Sequence, residues 1–335
     1  MRRFEGFMKG VNLGGWISQF AEYSEEHFST FIQEADIERI KGMGFDHVRV
    51  PVDYIVLETE EGEVRECGYQ YLFNCLNWCK KYDLNMLIDV HEVYGYSFDP
   101  LKDMDREVFF YNDAMQARFF KLWENIATRF GGEYERVAFE LLNEVVLSEV
   151  YEAWNNVAKK AIEHIRAIAP NTSIVFGGVN YNNVRSVALL GAPYDDKVVY
   201  NFHCYDPLIF THQKAYWVPE MPADFEMSYP APLEVYRKES EKFPKEMMSS
   251  IYHEKLSTIG PEYFETLFED AIAAAEKYNV PLYCGEYGVI ELAPKEDTKR
   301  WLADIHSVLE KHGIGRAVWN YKGKDFGIID SDYGF

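Results

Sequence analysis

Two apolar runs end on acids. "AFELLNE" (residues 138–144) closes on Asn143 and Glu144, and "PLYCGE" (281–286) closes on Glu286. Two carboxyls facing one bond are the equipment for cleaving an acetal. One protonates the leaving oxygen, while the other attacks the anomeric carbon or activates a water. One carboxyl must then be protonated and the other ionised near neutral pH. Mutual repulsion and unlike neighbours can push the two pKa values apart. Further polar and aromatic residues close other apolar runs: Arg49 in "DHVRVP", His91 after "LIDV", His203 and Tyr205 in "VVYNFHCY", and Trp319 after "GRAV". An arginine and a histidine beside one acid would keep it charged. Asn143, beside the other acid, is placed for a sugar 2-hydroxyl, and the face of Trp319 for the floor under a sugar ring.

Taken singly, each residue has a plainer reading. Arg49 could pair with Glu140 or Asp89, because a buried guanidinium needs a partner. His91 and His203 could be satisfied packing residues, Trp319 could fill a barrel end, and Asn143 could belong to a turn. Tyr205, just before Asp206-Pro207, could pack a turn, and either glutamate could be a solvated strand end. Their joint placement carries the chemical reading.

The elements that must position them alternate. Strands are expected at 7–12, 46–51, 84–90, 136–142, 173–178, 197–203, 281–286 and 315–320. Helical periods occupy 34–44, 68–82, 113–131, 148–169, 262–278 and 295–312, with a short helix near 181–190. Eight nearly continuous apolar strands separated by helices imply an α/β fold with a parallel sheet closed as a (β/α)8 TIM barrel. A doubly wound sheet is the alternative, but no G-x-G-x-x-G follows the first strand. Such barrels do chemistry at the C-terminal ends of their strands, where all these residues fall. A single catalytic domain over residues 1–335 accommodates the length. Residues 206–261, rich in proline, aromatic and charged residues, are far too long for a simple connection. They read as an inserted subdomain over the strand ends, between strand 6 and helix 6. Nothing after the last strand has the period of an eighth helix. That piece is expected to be missing, leaving apolar surface exposed on the first helix and on helix 295–312.

The formal net charge of −21 argues against nucleic acid or an anionic membrane face as partner and fits a neutral substrate. Aromatic residues, 16% of the chain, suit a groove for a flat hydroxylated ligand, though a large core also absorbs them. Cys67, Cys75, Cys79, Cys204 and Cys284 form no disulfide framework. Cys75 and Cys79 are four apart with no second Cys/His pair to complete a ligand set, so no metal site is read. "MRRFEGFMKG" lacks the apolar run of a signal peptide, and no stretch has the length of a membrane span. The chain is expected to be cytoplasmic as written, or secreted with a leader removed.

Seven stretches, in order along nearly the whole chain, carry a family resemblance: "GVNLGGW" (10–16), "GFDHVRVPVDY" (44–54), "LIDVHE" (87–92), "AFELLNE" (138–144), "YNFHCYDPLIFTHQKAYW" (200–217), "LYCGEYGV" (282–289) and "AVWNYKGKDFG" (317–327). Together they resemble glycoside hydrolase family 5, the cellulase-type retaining (β/α)8 enzymes, nearest the clostridial-type endoglucanases with a subdomain after strand six. The resemblance implies that Glu144 is the acid/base and Glu286 the nucleophile. It implies supporting or sugar-binding roles for Arg49, His91, Asn143, His203, Tyr205 and Trp319, and a leaving-group platform at Trp217 in the insert. Tyr205 is expected to hydrogen-bond Glu286, with Arg49 and His203 helping to keep that carboxylate ionised. The implied activity is a retaining endo-β-1,4-glucanase acting on β-glucan without metal or organic cofactor. A β-1,3-1,4-glucanase, a mannanase or an exo-β-1,3-glucanase of the same family remains open, since "GVNLGGW" also recurs in the exo branch. From another class, a carbohydrate-binding barrel without turnover remains open too. A monomer is expected, with association if the missing helix exposes apolar surface. Two residues depart from the family pattern. Val145 stands where proline is common, and Glu92 where close relatives often carry a second histidine, a carboxylate near enough to alter a subsite or the pH optimum.

Overall fold

A computed structural model describes all residues of the chain except 245–247, 249, 252–254, 324 and 335. Among the described residues, eight parallel strands close into a barrel: β1 (Gly10–Asn12), β2 (His47–Asp53), β3 (Asn85–Glu92), β4 (Val137–Glu140), β5 (Ile174–Gly177), β6 (Val198–Cys204), β7 (Leu282–Tyr287) and β8 (Gly315–Val318). Consecutive strands pair, and β8 pairs with β1 to complete the ring. The outer layer is α1 (Glu34–Gly42), α2 (Glu66–Lys81), α3 (Asp113–Phe130), α4 (Tyr151–Ile168), α5 (Pro261–Tyr278) and α6 (Lys295–Lys311). These helices bury an apolar stripe on the barrel, as parallel strands covered on their outer face require.

Alternation along the strands sorts the interior into layers. Leu87, Ala138, Val175, Val199, Tyr283 and Ala317 form an apolar floor, sealed from below by Phe4 and Phe7. Two residues further along each strand, the same alternation places Asp89, Glu140 and Asn201 on the inner face, all buried. A further step brings His91 and His203 toward the mouth. At the β6–β7 pair the register slips: Phe202 faces Cys284, but His203 faces Glu286. The slip falls at Gly285, where an added Cβ would come within 2.8 Å of the Asn201 side chain. Only glycine lets β7 bulge there and turn Glu286 inward.

The helix expected near 181–190 is a 3-10 helix, Val184–Leu189, because residues 180–182 take left-handed backbone angles before the turn can begin. Residues 206–261 hold short helices at Leu208–Thr211 and Leu233–Ser240 and a two-residue antiparallel ribbon, Ala231–Pro232 with Thr258–Ile259. They are moored to the β7 side of the barrel. The Tyr229 hydroxyl donates to Asp304 on α6 at 2.8 Å, and the Trp301 indole donates to the Asp206 carbonyl at 3.0 Å. Residues 245–247, 249 and 252–254 of this stretch lie outside the described residues.

The expectation about the chain's end is half right. Among the described residues no helix follows β8, yet the apolar surface is not bare. Ile37 and Ile40 of α1 are buried, as are Trp301, Leu302, Ile305, Val308 and Leu309 of α6. The residues after β8 fold back, burying Tyr321, Phe326 and Ile328. Tyr321 and Lys322 both reach Asp36 of α1, at 3.0 and 2.9 Å, while Lys295 and Lys299 hold Asp332 at 2.8 and 3.2 Å. The condition set for association, exposed apolar faces on these helices, is therefore not met among the described residues. If this segment does the work of a helix, Ile328→Ala should lower the unfolding free energy in urea by about 2–4 kcal/mol, the usual cost of emptying a buried isoleucine site. A loss below about 0.5 kcal/mol, the scale of an ordinary surface change, would mean the segment is dispensable.

Candidate active site

One guanidinium organises the barrel mouth. Arg49 is fully buried and donates to both carboxylate oxygens of Glu140, at 2.7 and 2.8 Å. It also donates to Glu286, to the side-chain oxygen of Asn12 and to that of Asn143, each at 2.8 Å, and stands 3.1 Å from Asp89. Arg49 stands on β2, and its partners come from β1, β3, β4 and the residues just after it, and β7, so the site exists only once the ring has closed. Asn201 steadies Glu140 from β6 at 2.9 Å.

Charge balance inside this cage decides protonation. Burial pushes the carboxyls of Asp89 and Glu140 up to about 7, with Arg49 pulling the other way. Glu144 and Glu286 face one another at the rim, with a carboxylate oxygen of each and the His203 Nδ1 mutually within 4.8 Å. Both carboxyls are raised by burial, but not alike. Glu144 lies well above the usual range, lifted next by the charge of Glu286. Glu286 is opposed by Arg49 and by the Tyr205 hydroxyl, which donates to it at 2.9 Å. The first proton therefore belongs on Glu144. Its backbone is pinned by Tyr96, whose hydroxyl donates to the Glu144 carbonyl at 2.7 Å and accepts the Val146 N–H at 2.9 Å.

The structure thus brings Arg49, Asn143, Glu144, His203, Tyr205 and Glu286 into one network. His91 joins it through Asp89, 2.5 Å from Nδ1, and lies parallel to the Trp319 ring, 5.8 Å between centroids. Trp319 is so close to the first loop that a Cβ on Gly14 would come within 2.7 Å of its ring. Trp217 belongs to an aromatic group with His212 and Phe326, and Phe326 packs on Tyr205. One expected role changes. His203 does not help to charge Glu286. Burial and Arg49 drive its pKa well below the usual value, and its Nδ1 sits nearer Glu144 (2.8 Å) than Glu286 (3.7 Å). It acts as a neutral hydrogen-bonding ring. Glu92 turns to Lys102 and Ser97, with Asp53 beside it held protonated to about 8 by burial and by Glu92's charge.

Among the buried polar atoms here that have no protein partner are Nδ2 of Asn143, Nε2 of His91 and of His203, and Oδ1 of Asp89. Unsatisfied donors and acceptors at a rim otherwise so fully bonded are what a hydroxyl-rich ligand would satisfy. A divalent ion could in principle share Glu144, His203 and Glu286, but the Arg49 cation already sits 2.8 Å from Glu286 and supplies the positive charge. Asn12 and Asn201 were not singled out from the sequence. The signal was there: each is a lone amide within a buried apolar strand, where polar groups occur only with partners.

The sequence model described as "Cellulase (glycosyl hydrolase family 5)" matches residues 8–325. Cellodextrinase A of Ruminococcus flavefaciens is 42% identical over 316 residues, covering 94% of this chain and 86% of that protein. Endoglucanase C of Acetivibrio thermocellus is 42% identical over 330 residues, covering 97% and 94%. The crystal structure of endoglucanase Cel5A from Thermotoga maritima superposes with a TM-score of 0.76 over 98% of this chain and 94% of that one, at 22% identity.

Removing the guanidinium would leave buried carboxylates with no cation. Arg49→Met should lower the unfolding free energy by about 3–5 kcal/mol near pH 8. Carboxyls whose folded pKa lies above the unfolded value cost stability increasingly as pH rises through the folded value. The penalty should therefore shrink toward about pH 5, where Asp89 and Glu140, at about 7, hold their protons. Urea unfolding at the two pH values reads this directly, and a pH-independent penalty would contradict the charge account.

Proposed function

The chain belongs to glycosyl hydrolase family 5, the cellulase family, and on that footing we propose that it is a retaining endo-β-1,4-glucanase acting on cellulose-type and mixed-linkage β-glucans. The observation that carries the mechanism is the spacing of two unlike carboxyls. Oxygens of Glu144 and Glu286 come within 4.8 Å. That suits the separation of about 5–5.5 Å used for double displacement and falls short of the roughly 6.5–9.5 Å that leaves room for an inverting water.

In this reading Glu286, ionised by Arg49 and aimed by Tyr205, attacks the anomeric carbon. Glu144 gives its proton to the departing oxygen, and the bond from that oxygen to the anomeric carbon breaks. Forming the glycosyl ester removes the negative charge of Glu286, the second largest cause of the high pKa of Glu144. The acidity of Glu144 rises as a consequence, so the same group, now ionised, takes the proton of an incoming water. The water oxygen attacks the anomeric carbon and frees Glu286. Asn143 keeps its oxygen on Arg49 and offers Nδ2 to the 2-hydroxyl. Trp319 underlies the reacting sugar, with His91 behind it, and Trp217 lines the leaving-group side.

Glu144→Gln and Glu286→Gln should each lower kcat on a soluble cellulose derivative by at least roughly 10²–10⁴-fold, the scale of general acid catalysis. The folded state should be little disturbed, since glutamine matches the shape of the protonated Glu144 and, in place of Glu286, removes a buried charge. On an aryl cellobioside whose leaving group needs no proton, Glu144→Gln should also lose the alkaline limb of the profile for the glycosylation step. Near-full activity in either variant would overturn the assignment.

A further inference from the structure

Tyr205 aims Glu286, so whatever fixes the Tyr205 ring acts on that carboxylate at one remove. Its hydroxyl donates to Glu286 at 2.9 Å, and its ring meets two others edge-on, His212 at 5.0 Å and Phe326 at 5.5 Å between centroids. His212 and Phe326 also meet, at 5.1 Å, so the three rings form one cluster. Edge-to-face contacts of this kind set a ring's tilt as well as its place.

The two flanking rings come from different segments. His212 belongs to the insert. The Thr211 hydroxyl beside it stands 3.0 Å from the His212 Nδ1 and donates to the Tyr205 carbonyl, which ties this part of the insert to the tyrosine's own backbone. Phe326 belongs to the loop after β8. Asp325 and Phe326 both take left-handed backbone angles, φ 60° and 71°. A phenylalanine there is crowded by its own Cβ, and the conformation persists only where surrounding contacts impose it.

Those contacts come from the stretch after β7. Glu291 accepts the Asp325 N–H at 3.3 Å on one carboxylate oxygen and the Phe326 N–H at 2.9 Å on the other. Bonds from backbone N–H groups to a charged acceptor are stronger than neutral ones. The Ile290 N–H, next to it, donates to the Thr211 carbonyl at 2.9 Å. Closer to the strand, a Cβ on Gly288 would come within 2.4 Å of the Trp319 carbonyl oxygen and 3.3 Å of the Phe326 ring. Residues 288–291 therefore hold both flanks of the ring cluster. Glu291 itself is exposed, whereas the ring it seats is buried.

We infer that Glu291 is a positioning residue for the nucleophile, acting through Phe326 and Tyr205 and not on the sugar. This rests on the nucleophilic role proposed for Glu286. Without the Glu291 carboxylate, residues 325 and 326 relax out of their left-handed angles, Phe326 leaves its seat, and the Tyr205 ring is free to tilt. Arg49 still holds the other oxygen of Glu286, so the nucleophile keeps its charge and loses its aim.

2,4-Dinitrophenyl β-cellobioside reads the attack of Glu286, because its leaving group needs no proton from Glu144. Glu291→Ala should lower kcat/KM on this substrate by roughly 3–30-fold, a part of the roughly 100-fold that about 1 Å of misplacement can cost at a reacting group. Phe326→Leu, which removes the ring and leaves the carboxylate, should do the same. General damage to the loop would also slow the enzyme, so both changes are repeated in a Tyr205→Phe background. That background has no hydroxyl to aim, and its remaining Arg49 bond to Glu286 leaves a rate to measure. There each change should cost less than about 2-fold. Falls of equal size in the two backgrounds would overturn the inference, as would a full rate in either single variant. Turnover of the same substrate by the unaltered protein tests the underlying hydrolase reading separately: its absence would sink that reading and this inference with it.

Discussion

The ion pair between Arg49 and the buried carboxyls is the interaction on which the rest depends. One guanidinium, without solvent contact, meets Asp89, Glu140 and Glu286. Three acids around one cation cannot all ionise cheaply in a dry interior. The surplus is resolved by burial raising Asp89 and Glu140 to about 7. Glu286 sits at the rim, with a tyrosine hydroxyl and an arginine N–H on its two oxygens, and is the best supported in its charged form. Once Glu286 is charged, Glu144 opposite it is driven toward its protonated form. The unlike behaviour of the two rim acids thus follows from where the arginine points.

That arginine can hold its place only inside a closed barrel. Its ligands lie on strands far apart in sequence, from Asn12 to Glu286, and the β1–β8 pairing brings the first against the last. Beneath it, the apolar layer sealed by Phe4 and Phe7 keeps water from below. Polar middle, apolar floor and reactive rim come from one rule, the two-residue alternation of inward-facing side chains, applied over three successive steps.

Much of this was legible in the chain. Strands buried outside under helices and inside by the barrel core read as near-continuous apolar runs, so barrel and element order followed from composition and period. The rim residues stood out because a strand's last inward position is where polarity returns, as at Glu144, His203 and Glu286. What escaped reading depended on contacts between distant segments. Asn12 and Asn201 gain meaning only from partners on other strands. The neutrality of His203 comes from burial and from Arg49, neither visible locally. The cover over α1 and α6 is made by loop residues such as Tyr321 and Ile328, which have no helical period to announce them. Tyr181 carries no pattern at all. Its left-handed backbone is held by its own N–H donating to the Val145 carbonyl and by the Gly178 N–H donating to the Asn182 side chain beside it.

The sharpest test is stereochemical. Proton NMR of the anomeric signals during the first minutes of cello-oligosaccharide hydrolysis, before mutarotation blurs them, reports which face of the sugar the water attacks. Two displacements by a pair this close must return the β-anomer first. If the α-anomer appears first, Glu286 forms no glycosyl ester, and the account of the two acids is wrong.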